Sequence, residues 1–124
     1  MKPEYIIGDI VMYDNKIMVV KEPRDGIHFD LSCRKEGLVY CFVGVDEIKP
    51  VSLTSDILEK NGWKLCHGFY SSTNKEGAGI RLSSQTGYVW NAYVGRQPLR
   101  SGINNVSDLQ HLLFGLGINH EMEV

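Results

Sequence analysis

Cys66 and His67 stand side by side in the stretch WKLCHGFYSS (63–72), with Lys64 just before them. A catalytic cysteine needs its thiolate generated by a nearby base. That makes Cys66 a better candidate nucleophile than Cys33 or Cys41. Neighbouring residues on a strand point to opposite faces, however, so Cys66 and His67 do not converge on one point. The ordinary reading of Cys66 is a buried or edge thiol. Cys41, inside the apolar run LVYCFV, reads as a small core residue. His28, His67, His111 and His120 include no i,i+4 pair, and a zinc site needs three or four converging ligands. The carboxylate pairs Asp46–Glu47 and Glu121–Glu123 adjoin no second polar cluster and read as solvated charge. The glycine-rich GAG (77–79) lacks the Lys-Ser/Thr ending of a phosphate loop. The sequence therefore predicts no catalytic residue, no metal and no cofactor.

Binding chemistry is better represented. In YVWNAYV (88–94), Tyr88, Trp90, Ala92 and Val94 share one face of a strand, and Val89, Asn91 and Tyr93 the other. If the Trp90 face is core, Tyr93 is exposed near Arg81, Arg96 and Arg100. Aromatic residues among arginines can stack bases or grip a peptide, and both types are enriched at interfaces. The segment GRQPLRSGINN (95–105) reads as a long irregular loop carrying Arg96 and Arg100. Loops of that length in compact domains usually serve a purpose. The predicted binding surface is thus Tyr93, Arg96 and Arg100, supported by Arg81.

Composition sets the frame for these residues. The chain's 124 residues suffice for one domain or two small subdomains. A formal net charge of −2 argues against broad phosphate binding. The three cysteines are an odd number with no CxxC spacing, which predicts reduced thiols in a cytoplasmic setting. No segment has the apolar length of a membrane span, and the first residues do not read as a signal peptide.

The elements that hold the candidates are mostly strands. YIIGDIVMY (5–13) and IMVVKE (17–22) flank a DNK turn. IHFDLS (27–32) alternates as a half-buried strand, and LVYCFVGVDEI (38–48) is one strand, or two broken at Gly44. Five short strands in about 50 residues predict a small curled sheet or barrel. A short helix follows: Thr54 is its N-cap, Leu53 and Leu58 its hydrophobic staple, and Gly62 its closing residue. Two turns are not stable alone, so this helix must dock as a plug or hinge. The stretch 63–72 reads as one strand, followed by a loop at 73–79 and strands over 80–84 and 88–94. A last helix spans 106–116, capped by Asn105 or Ser107, with Val106, Leu109, Leu112, Leu113 and Leu116 on one face. The tail 118–124 reads as frayed.

IIGDIV (6–11), DEIKPVSLTSDILEKNGW (46–63) and DLQHLLFGL (108–116) together resemble the pattern of a group of small bacterial proteins carried on phage-like or other mobile elements. That pattern has an IGN-x-V opening, a DEI-x-PI-x-LT-x-x-IL-x-x-NG centre and a C-terminal LQ-x-L helix. This chain departs from it at Asp9, Val51 and Trp63. The resemblance implies no activity and transfers no functional residue. Separately, GDIVMYDNKIMVV resembles the first hairpin of SH3-like barrels.

The expected fold is α+β: a strand-rich, SH3-like small barrel over 1–52, a short connecting helix over 53–62, and an antiparallel sheet covered by one helix over 63–124. The expected function is a non-enzymatic module that binds a protein partner or a second copy of itself. The competing expectation is a nucleic-acid-binding accessory protein using Arg81, Arg96, Arg100 and the neighbouring aromatics.

Overall fold

A computed structural model describes residues 5–72 and 79–124. All but the last residue of the expected 73–79 loop lies outside them. The fold is α+β, and the described residues form two antiparallel five-stranded sheets and two helices. The chain divides into two compact units, Met1–Val51 and Ser52–Val124. Among the described residues no helix is long and apolar enough to cross a membrane.

The first unit is a meander with a returning strand. Strands β1 (Ile10–Tyr13), β2 (Lys16–Pro23), β3 (His28–Cys33) and β4 (Leu38–Gly44) follow one another. A single 3-10 turn (Val45–Glu47) then leads to β5 (Lys49–Pro50). The sheet order is β4-β3-β2-β1-β5, so the chain returns to the free side of β1. Asp14 and Asn15 form the β1–β2 turn at φ 51° and 60°, the left-handed pair that a two-residue hairpin requires. Val11, Met18, Val20, Phe29 and Leu31 are buried at the centre of this unit.

Strand β4 corrects two expectations. Cys41 is exposed rather than core, and Asp30 is buried rather than on a solvated face. The cause of the first is a bulge. Phe29 pairs with Val43 and Leu31 with Tyr40, so Cys41 and Phe42 together oppose Asp30. The extra residue shifts the alternation and turns Cys41 outward. Phe42 takes up the distortion at φ 54°, a conformation that non-glycine residues adopt at a cost. The Asp30 carboxylate holds it there, accepting a hydrogen bond from the Phe42 N–H at 3.1 Å. Arg24 donates to the other Asp30 oxygen through Nε at 2.9 Å and lies 5.2 Å from the centre of the Phe42 ring. Arg24 first, then the Phe42 N–H, hold the Asp30 carboxyl below the usual carboxylate range.

The second unit begins with α1 (Ser55–Lys60). The Thr54 hydroxyl accepts from the Ile57 N–H at 3.3 Å. Gly62 closes the helix at φ 87°, and Leu53 and Leu58 are both buried. The helix packs on β6 (Trp63–Cys66) within this unit. The sheet continues with β7 (Phe69–Ser72), β8 (Ile80–Ser83), β9 (Trp90–Val94) and β10 (Gln97–Ile103), in the order β10-β9-β8-β7-β6. Helix α2 (Val106–Gly115) starts at Asn105, whose side chain accepts from the Asp108 N–H at 2.8 Å.

Four expectations change in this unit. The stretch 63–72 is a hairpin, because His67 and Gly68 turn the chain at φ 52° and 82°. The segment 95–105 is mostly strand: β10 pairs with β9, and two register shifts absorb its irregular residues. Pro98 is tolerated because β10 is an edge strand, where a missing N–H breaks no ladder. On α2, Val106, Leu109 and Leu113 are buried but Leu116 is exposed. The tail is docked rather than frayed, with Ile118 and Met122 buried. Gln110 Nε2 donates to the His120 carbonyl at 3.0 Å.

Candidate functional site on the outer face of the C-terminal sheet

Alternation divides the second sheet into two faces. Trp63, Tyr70, Leu82, Trp90 and Ala92 are buried on one. The other carries a continuous cross-strand row: Lys64 pairs with Ser71, Ser71 with Arg81, Arg81 with Tyr93, and Tyr93 with Pro98. Cross-strand partners share a face, so the row spans all five strands. Cys66 and Phe69, paired across the β6–β7 hairpin, stand on the same face, as do Ser83 and Asn91.

Three of these side chains form a cluster. The Arg81 guanidinium lies 4.5 Å from the centre of the Phe69 ring. The Phe69 and Tyr93 rings meet edge-to-face, 5.9 Å apart at 87°. Edge-to-face pairs bring the positive rim of one ring to the negative face of the other, and the cation adds to that attraction. The cluster is therefore ordered by its own electrostatics. Beside it, a shallow depression of about 360 Å³ lies between β9 and β10, bordered by Asn91, Tyr93, Pro98 and Arg100.

The four expected binding residues separate here. Tyr93 and Arg81 come together, joined by Phe69. Arg96 is exposed in the turn between β9 and β10. Arg100 pairs with Ala92, a residue of the buried face. Its guanidinium lies 3.5 Å from the Asp108 carboxylate on α2. Arg100 thus borders the depression while engaged as a structural tie. Phe69 and Lys64 belong to the surface and were not anticipated. Reading 63–72 as one strand puts Phe69 on the Trp63 side; the turn at His67–Gly68 reverses it. The signal was the His-Gly pair, since His tolerates left-handed geometry and Gly favours it.

The cysteine and histidine candidates do not converge. Cys66 is an exposed free thiol, and His67 is occupied in the turn backbone. Among the described residues, no group of three or more His, Cys, Asp or Glu is placed to hold a metal. His28 does meet a carboxylate: its Nδ1 lies 2.9 Å from Asp25 Oδ2. That contact holds the Asp25 carboxyl below its ordinary range.

Comparison of the chain with protein-family models, with curated proteins and with solved structures finds no match in any of the three. The functional reading therefore stands on the site's own geometry.

Proposed function

We propose that this protein is a non-enzymatic interaction module and that the outer face of its C-terminal sheet receives a protein partner or a second copy of the chain. The observation that carries this reading is the Arg81–Phe69–Tyr93 cluster on the outer face of the sheet. Aromatic and arginine side chains held in fixed positions lose little freedom on binding and dominate interface energetics. The three unpaired thiols suit a reducing, cytoplasmic setting.

A nucleic-acid role is the second reading, favoured by two cations, Lys64 and Arg81, in one row. The ring geometry weighs against it. Successive bases need ring faces that they can stack on together. Rings crossed at 87° do not offer two parallel platforms.

The test compares the wild type with an Arg81→Ala, Tyr93→Ala double variant that melts normally. A partner, or a native mass above the monomer, is expected for the wild type and lost in the variant. Hydrogen-exchange protection in the complex should fall on 64–71, 80–83 and 90–94. Retention of every partner and of the same mass by the variant rejects this surface. Steeply salt-dependent binding to single strands would favour the second reading.

A further inference from the structure

We infer that the partner segment is an acidic peptide presenting two carboxylates about 10 Å apart, a Glu-x-x-Glu pattern in extended form. This rests on the reading of the outer sheet face as a contact surface.

The inference comes from the charges. Lys16, Arg24 and Arg100 are each answered by a carboxylate: Glu36, Asp30 and Asp108. Lys64 and Arg81, like Lys21, Arg34, Lys35, Lys49 and Arg96, have no ion-pair partner among the described residues, and these two stand in one cross-strand row. The row they stand in contains no Asp or Glu, and neither do the adjoining positions Cys66, Phe69, Ser83 and Asn91. Among the described residues the face therefore carries two cations and no carboxylate, in a chain whose net charge is −2.

The Arg81 cation is pre-positioned. Its guanidinium rests against the Phe69 ring, which restrains the side chain. A guanidinium offers paired N–H donors that match a carboxylate in bidentate fashion. Lys64 supplies a second, pointlike charge.

Spacing fixes the pattern. Lys64 lies on β6 and Arg81 on β8, with β7 between them. Two inter-strand steps put their backbones about 10 Å apart. A polyproline II segment repeats its face every third residue, about 9.3 Å apart. Glutamates three apart can therefore meet both cations, while an apolar neighbour reaches Tyr93 and Pro98.

The experiment titrates the isotope-labelled full chain with the blocked peptide Gly-Glu-Pro-Pro-Glu-Leu-Gly, with its Gln-for-Glu counterpart, and with a short oligothymidine. The Glu peptide should shift the amide signals of Lys64, Arg81 and Tyr93. Replacing Glu by Gln, or introducing Arg81→Gln or Lys64→Gln into a normally melting protein, should weaken binding at least about tenfold. Equal binding of both peptides at this face overturns the acidic partner and leaves the contact surface standing. No binding of the Glu peptide, shifts confined to another surface, or tighter binding of oligothymidine also overturns it. Failure of the contact-surface reading has a different sign: partner retention by the Arg81→Ala, Tyr93→Ala variant.

Discussion

Asn61 and Glu123 hold each other by two hydrogen bonds across sixty-two positions of sequence: Asn61 Nδ2 donates to the Glu123 carbonyl at 2.7 Å, and the Glu123 N–H donates to Asn61 Oδ1 at 2.8 Å. Asn61 is also the C-cap of α1, and its Nδ2 donates to the Ile57 carbonyl at 2.8 Å. One side chain thus ends a helix and anchors the tail.

Asn61→Ala should release the tail and cost about 1–3 kcal/mol, the net worth of a few part-exposed hydrogen bonds. Hydrogen exchange should show the Glu123 amide losing protection while β8 and β9 keep theirs. An unchanged Glu123 amide would mean that Ile118 and Met122 hold the tail without help.

Leu113→Asp should abolish cooperative melting. Leu113 is 1% exposed, and an unpaired buried carboxylate costs several kcal/mol against a total stability of roughly 5–15 kcal/mol. Leu116→Lys is the matched control. Leu116 is 46% exposed at the helix C-terminus, where a cation is favourable, so its stability should change by less than about 0.5 kcal/mol. A normal midpoint for Leu113→Asp would show that this stripe is not core.

Acid should weaken the first unit through Asp30. Its carboxyl is held below the ordinary range by Arg24 and the Phe42 N–H. The contribution is present above the unfolded value of about 4 and is lost as pH falls through the lower folded value. Asp25, held down by His28, and Glu36, held down by Lys16, act in the same direction. Melting temperature measured from neutral pH downward should fall more steeply below about pH 4 in the wild type than in Asp30→Asn. Parallel curves would remove Asp30 from this linkage.

Thiol titration should resolve two classes. Cys41 and Cys66 are exposed and Cys33 is buried. The first two should react in the native protein and the third only on unfolding. Fast reaction of all three would mean that β3 opens readily.

Local chemistry was legible in the sequence; relationships between strands were not. Thr54, Leu53, Leu58 and Gly62 announce α1 because caps and staples act within a few residues. Asp14–Asn15 announce the first hairpin for the same reason. The bulge that exposes Cys41 depends on how β3 and β4 align, and no pattern within either strand encodes it. Strand β10 was hidden by Pro98, Gly102 and polar residues, which its edge position accommodates. The outward placing of Tyr93 was readable because Trp90 and Ala92 mark the buried face of their own strand. The contact of Arg100 with Asp108 was not readable, because Asp108 belongs to another element.

The bulge at Cys41 and Phe42 has a consequence for how copies of this chain behave in a crowded solution. Strand β4 is the outer strand of its sheet and has exposed Leu38, Val39 and Phe42. A straight apolar edge of this kind recruits further strands and seeds fibres. With Phe42 driven to φ 54° and its N–H turned inward to Asp30, the edge loses its regular ladder after Cys41. Asp30→Asn weakens the hold on that kink. Incubated at high concentration, it should form thioflavin-positive aggregate sooner than the wild type, even where both are fully folded at the start.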